Sequence, residues 1–162
     1  MASSPYRILL VCLGNICRSP AGENVLRRLL KEEGLEDRVD VDSAGTADYH
    51  IGKGPDPRMT AALEAADYQV TGRAQQVTSD HLKEADLVLA MDRANHADIL
   101  ALTTDKGLRQ RVRLCSDFCT DHDIRDVPDP YYGEADGFRE VISIVEDAGA
   151  NLITFIRKEL DS

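Results

Sequence analysis

No apolar run in these 162 residues approaches the ~20 that a helical membrane span requires. Residues 1–5 are short and polar ahead of the first apolar stretch, so no export signal is expected there. Basic side chains are outnumbered, 19 Lys and Arg against 29 Asp and Glu, for a formal net charge of −10. That balance argues against nucleic acid and against an anionic membrane as partners. The four cysteines, Cys12, Cys17, Cys115 and Cys119, contain no CxxC pair. Reduced thiols in a cytoplasmic protein are the expectation. His50, His81, His96 and His122 are scattered without metal-ligand spacing, so no metal or other cofactor is expected. The nucleotide-binding pattern GxxxxGK[ST] is missing as well. Repeats, linkers and low-complexity segments are absent, which leaves a single domain over residues 1–162.

What is present centres on one stretch, Cys12-Leu13-Gly14-Asn15-Ile16-Cys17-Arg18-Ser19-Pro20. The apolar run Ile8 to Val11 before it reads as a buried strand. Val25, Leu26, Leu29 and Leu30 after it recur at helical spacing, so Arg18 and Ser19 open a helix. A cysteine thus ends a strand, and a short Gly-containing loop leads into a helix. Such a loop turns successive backbone N–H groups inward, and the helix adds the positive end of its dipole. Arg18 contributes a planar fork able to grip two phosphate oxygens. Cys12 lies at the base of the same positive field, which favours its thiolate. A lone cysteine behind a strand is ordinarily a packed core residue. A cysteine, five intervening residues and then Arg-Ser specify a phosphate cradle over a thiolate.

The rest of the chain alternates strands and helices. A first helix runs through 21–33 and ends at Gly34, and Val39 to Ser43 alternates as a second strand. Thr46 to Pro57 is a loop, and a helix over 58–66 is entered through Asp56-Pro57, a cap residue followed by proline. Residues 69–76 form a polar connector, Thr78 starts a short helix, and 85–90 is a third strand. Helix is expected over 92–102, a helical turn over 103–110, and a short fourth strand over 112–115. A long loop spans 117–133, and an amphipathic helix runs from about 135 to 159. This is an α/β pattern with a parallel sheet covered on both faces by helices. The phosphate-binding loop after strand 1 then lies at the carboxyl ends of the strands, where open α/β sheets bind ligands.

Val11 to Pro20 resembles the signature of the low-molecular-weight protein tyrosine phosphatases. Asp126-Val127-Pro128-Asp129-Pro130-Tyr131-Tyr132-Gly133 resembles the general-acid loop of that family, and Asp42 to Thr46 and Met91-Asp92 also match. The resemblance implies a four-stranded sheet of order 2-1-3-4 and hydrolysis of phosphotyrosine through a phosphocysteine. The loop residues Leu13, Gly14, Asn15, Ile16 and Cys17 would bind the phosphate together with Arg18, and Cys12 would attack it. Asp129, in a loop stiffened by Pro128 and Pro130, is the candidate general acid; Asp126 reads as structural. The resemblance further implies that Asn15 holds the cradle in a strained shape. It implies that Ser19 donates to the Cys12 thiolate and that Ser43 braces Asn15. Asp92 reads either as a carboxylate beside the loop or as a helix N-cap. The vertebrate members carry a histidine in this network where Gly72 stands here. Cys17 reads as a packed residue or as a thiol that pairs with Cys12 under peroxide.

Substrate choice rests on the rim. Tyr49 and Tyr131 are the candidate aromatic walls, with Asp48, His50 and Tyr132 nearby. The protein-arginine phosphatase branch of the family carries threonine where Ile16 stands, so Ile16 favours phosphotyrosine. Arsenate reductases of the same fold need two further cysteines near the third strand, and residues 80–92 contain none. A phosphocysteine carrier or a phosphoprotein-binding module would use the same cradle without a general acid. The expected partners are phosphotyrosine proteins, with inorganic phosphate as product and inhibitor, acting on a monomer.

Overall fold

The computed structural model describes residues 4–162. Its order is β1 (Tyr6–Cys12), α1 (Arg18–Glu32), β2 (Val39–Gly45), α2 (Pro57–Ala65), α3 (Ser79–Glu84), β3 (Leu87–Ala90), α4 (Arg93–Leu100), α5 (Lys106–Gln110), β4 (Val112–Leu114), a 3-10 turn (Cys115–Phe118) and α6 (Ala135–Asp161). The four strands pair in parallel in the order β2-β1-β3-β4, the order the family resemblance implies.

The alternation of side chains along the two central strands divides the core in two. Ile8, Leu10 and Cys12 of β1, with Leu87 and Leu89 of β3, face α1, α2 and α6. Leu9 and Val11, with Val88 and Ala90, face Leu82 of α3, Ile99 of α4 and Leu108 of α5. Both faces are apolar, which is why these strands read as unbroken hydrophobic runs. Burial of each such Leu or Ile side chain contributes roughly 1.5–3 kcal/mol.

Element ends differ from expectation in small ways with local causes. The helical turn expected over 103–110 is α5 alone, because the Asp105 side chain accepts from Leu108 N and caps it there. The long loop expected from 117 begins inside the 3-10 turn. Val127 N donates to Met91 O at 2.8 Å, so that loop is registered on the end of β3. The carboxyl ends of β1, β2 and β3 therefore bring Cys12, Gly45 and Met91-Asp92 to one edge. No helix among the described residues is long and apolar enough to cross a membrane.

Candidate active site

The cradle is built from peptide orientation. The carbonyls of Cys12, Leu13, Ile16 and Cys17 are tied outward to the N–H groups of Thr46, Ala47, Asp56 and Ala21, at 2.9, 2.9, 2.8 and 3.1 Å. In a trans peptide the N–H points opposite to the carbonyl, so the N–H groups of Leu13, Gly14, Cys17 and Arg18 turn to the concave side. The N-terminus of α1 carries no side-chain cap and no acidic residue in its first turn, which leaves its dipole end to the same space. Asn15 sits at φ 58°, the left-handed region that asparagine tolerates better than most residues. Gly45 admits this turn. A Cβ there would stand 2.7 Å from Leu13 O and 3.1 Å from Asn15 N.

Cys12 is buried at the floor, 2% exposed. Its sulfur accepts from Asn15 N at 3.3 Å and lies 3.1 Å from Ser19 Oγ. Arg18 is 3% exposed, and its Nη1 donates to Asp92 Oδ2 at 2.6 Å and to Val127 O at 3.1 Å. Its Nη2 is 3.6 Å from Asp129 Oδ2. Burial alone would lower the Arg18 pKa, but Cys12, Asp92 and Asp129 around it raise it overall, so the guanidinium stays charged. Asp92 fills both of its expected places: Oδ1 caps α4 by accepting from Asn95 N at 2.7 Å, while Oδ2 holds Arg18. Asp129 stands on the open side of the same guanidinium, with its side chain 40% exposed.

A cavity of about 260 Å³ opens above the sulfur. Cys12, Leu13, Gly14, Ile16, Cys17 and Arg18 form its floor, and Tyr49, His50, Asp129, Tyr131 and Tyr132 form its rim. The His50 ring lies 6.1 Å from the Tyr131 ring and 6.4 Å from that of Tyr49. The Arg58 guanidinium lies over Tyr131 at 5.2 Å and is itself gripped by Asp56, at 3.0 and 3.2 Å. A wider groove of about 1180 Å³ runs along α1 and β2. Its arginines are committed, Arg27 to Glu23 and Arg28 to Glu32.

Behind the cradle, Asn15 Nδ2 donates to Ser19 Oγ at 2.8 Å and to Ser43 Oγ at 2.9 Å, and its Oδ1 accepts from Gln75 N at 3.0 Å. The sequence does not announce the next member. Glu23, 2% exposed on α1, accepts from Ser43 Oγ at 2.5 Å. Gly72 lies against this carboxylate, so the network closes without any side chain at position 72. Helical spacing is the one signal that could have found Glu23: Ser19, Glu23, Leu26 and Leu30 share the buried face of α1. Asp126 is not among the residues lining the cavity and is held by Arg93 N at 2.9 Å and by the Arg93 side chain. Burial, with Asp56 next in effect, pushes the Cys17 thiol up to about 12.

Away from this cavity, Cys119, His122 and Asp147 bring a thiol, an imidazole and a carboxylate within 4.8 Å of one another. Asp147 is already saturated. It accepts from the N–H groups of Thr120, Asp121 and His122, each at 3.0 Å, and from His122 Nδ1 at 2.8 Å. Burial pushes the Cys119 thiol up to about 12. The cluster is a clamp on the loop rather than a ligand set.

Similarity to known proteins extends over nearly the whole chain. The family profile described as Low molecular weight phosphotyrosine protein phosphatase matches residues 7–162. A Synechocystis protein whose name carries that family is 46% identical over 95% of this chain and 98% of its own length. The Streptomyces coelicolor low molecular weight protein-tyrosine-phosphatase is 38% identical over 96% of each chain. Among solved structures, a protein tyrosine phosphatase of Entamoeba histolytica with Hepes in its active site superimposes with a TM-score of 0.92 at 40% identity, covering 95% of this chain and 98% of that one. Profile, relatives and fold agree over nearly the full length, and the chain belongs to the low molecular weight phosphotyrosine protein phosphatase family.

Proposed function

We propose that this chain is a protein tyrosine phosphatase that hydrolyses phosphotyrosine monoesters through a phosphocysteine. One observation carries the reading: Cys12 Sγ at the floor of the cradle, under an Arg18 fork that Asp92 holds from one side and Asp129 approaches from the other. The phosphate dianion repels anionic nucleophiles, so its charge must be met first. The loop N–H groups of Leu13, Gly14, Cys17 and Arg18 and the Arg18 fork meet it, and they stay in place as charge moves onto the equatorial oxygens. The Cys12 thiolate forms the S–P bond as the P–O bond to tyrosine breaks, and the Asp129 carboxyl gives its proton to the departing phenolate. Ionised Asp129 then takes a proton from water as that water attacks phosphorus. The S–P bond breaks, inorganic phosphate leaves and the thiolate returns. Asn15 and Ser43 keep the loop in shape, and Ser19 donates to the leaving thiolate.

Tyr49 and Tyr131 make the cavity deep enough for a phenyl ring, while phosphoserine is too short to reach Cys12 past them. Ile16 adds an apolar wall. The site works in one domain spanning the chain, with phosphotyrosine proteins as partners, as a monomer in the cytoplasm. Cys17 lies in the same loop, and after peroxide converts Cys12 to a sulfenic acid it would form the Cys12–Cys17 disulfide, losing its proton as the S–S bond forms and water leaves. Steady-state turnover of a phosphotyrosine peptide, a phosphoserine peptide and p-nitrophenyl phosphate tests the reading. The aryl esters are expected to turn over with competitive inhibition by phosphate. Equal kcat/KM for phosphoserine, or binding without turnover, would contradict it.

A further inference from the structure

Four hydrogen bonds run in series from the buried carboxylate of Glu23 to the nucleophilic sulfur. The distances are 2.5 Å from Glu23 Oε1 to Ser43 Oγ, 2.9 Å from Ser43 Oγ to Asn15 Nδ2, 2.8 Å from Asn15 Nδ2 to Ser19 Oγ, and 3.1 Å from Ser19 Oγ to Cys12 Sγ. The direction of every hydrogen in this chain can be worked out. Gln75 N–H donates to Asn15 Oδ1, which fixes the amide so that both Nδ2 hydrogens point at the two serines. Each serine oxygen therefore receives one hydrogen and must send its own elsewhere. For Ser43 that place is Glu23, a carboxylate and hence an acceptor only. For Ser19 the choices are Cys12 Sγ at 3.1 Å and Ala44 O at 3.5 Å, and the nearer one gains charge assistance when it is a thiolate.

The opposite polarity is the competitor. With the Asn15 amide reversed, its oxygen would take the hydrogens of both serines, and Ser19 would have nothing to give Cys12. Two groups select against that state: the Gln75 N–H, which would lose its acceptor, and Glu23, which would face a hydroxyl with no hydrogen to offer. We propose that Glu23 is a positioning residue. It sets the direction of the hydroxyl hydrogens between Ser43 and Cys12, so that Ser19 donates to the sulfur. This rests on the reading of Cys12 as the nucleophile. Arg27 supports the role. Its Nη1 lies 2.7 Å from Glu23 Oε2 and offsets the charge. The arginine's hydrogens go to Thr71 Oγ1 at 2.7 Å and Val41 O at 2.9 Å, and Oε2 has no hydrogen-bond donor of its own. Burial raises the pKa of Glu23, opposed by the Ser43 hydroxyl and then by Arg27.

Glu23→Gln separates this role from simple packing. The variant keeps the volume. Its amide oxygen turns to Arg27 and its NH2 group to Ser43, so an acceptor is exchanged for a donor and the chain reverses. The experiment measures iodoacetamide alkylation of Cys12 against pH, kcat for p-nitrophenyl phosphate and Ki for inorganic phosphate, with the melting temperature as a check on folding. The alkylation midpoint is expected to move to higher pH and kcat to fall about three- to tenfold, the range of one hydrogen bond. The Ki is expected to stay within about twofold, because the cradle N–H groups remain. In a Ser43→Ala background, where the chain is already cut, Glu23→Gln is expected to add nothing. Should Glu23→Gln not fold, Glu23→Met, which removes the acceptor without adding a donor, is expected to shift the midpoint the same way by less. An unmoved midpoint in a folded Glu23 variant would overturn the proposal. So would an equal shift in the Ser43→Ala background, which would mark a through-space charge effect. If wild-type Cys12 were not alkylated in a phosphate-protected manner, the reading of Cys12 itself would fail instead.

Discussion

The cradle and the loop that carries Asp129 face each other across one cavity, yet they are held in opposite ways. The cradle is buried, and each of its groups is fixed by others: Arg18 by Asp92 and Val127 O, Cys12 by Asn15 N, and the loop carbonyls by four backbone N–H groups. The acid loop makes its hydrogen bonds to the rest of the fold only up to Val127, through Asp147 at residues 120–122, Ser116 at Arg125 O and Arg93 at Asp126. Beyond that it makes short local bonds, Tyr131 N to Asp129 Oδ1 and Gly133 N to Pro130 O, and Tyr132 is 94% exposed. The phosphate is the same in every substrate, and a rigid site can be complementary to its transition state. The leaving group differs between substrates, and in the proposed mechanism Asp129 must reach it from outside.

The largest effect should come from breaking the rigid side. Cys12→Ser is expected to lower kcat by at least about a thousandfold, because a serine hydroxyl is far too weakly ionised to attack. Isothermal titration should still find phosphate bound, since the cradle survives. Multiple turnover in that variant would remove Cys12 from its role. Arg18→Lys keeps the charge but not the fork, and kcat is expected to fall by more than about tenfold, or roughly 1.4 kcal/mol.

Loosening the other side acts first on stability. Asp147→Ala removes the acceptor of four N–H donors in the acid loop, and urea denaturation is expected to register a loss of about 2–4 kcal/mol. The sign with pH follows from direction. Burial raises the Asp147 pKa, but His122 and the backbone N–H groups outweigh it and bring the carboxyl well below the usual range. Its contribution is therefore complete above the unfolded value of about 3.9 and is lost as pH falls below that. The Ala variant should show a flatter acid limb than wild type, and an identical limb would deny Asp147 the clamp. The smallest effect concerns recovery. After peroxide, dithiothreitol should restore wild type more fully than Cys17→Ala, and equal recovery would dispose of a Cys12–Cys17 disulfide.

How much of this could be read in advance follows from sequence separation. Cys12, Arg18 and Ser19 lie within one strand–loop–helix unit, so local pattern alone places them together. The sheet was legible because β1 and β3 bury both faces and read as continuous apolar runs. Glu23 was not legible, since a glutamate in a helix reads as solvated and its partner Ser43 is 20 residues away. The Arg58 stack on Tyr131 and the Arg93–Asp126 pair join segments that only the tertiary fold brings together. Asp92 reads two ways in the sequence because its two oxygens serve different partners, one on its own helix and one 74 residues away.

The division of labour between the two sides is tested most directly by kcat/KM for a series of aryl phosphates of graded leaving-group pKa, measured on wild type, Arg18→Lys and Asp129→Asn. The ratio reports all steps up to P–O cleavage, so it is blind to later hydrolysis of the phosphocysteine. Arg18→Lys is expected to lower the whole series by a similar factor, a line parallel to wild type. Asp129→Asn is expected to steepen the line, losing most for phenols of high pKa and least for p-nitrophenol, because only the former need the proton. Parallel lines for Asp129→Asn and wild type would contradict the account and make Asp126 the next acid to replace.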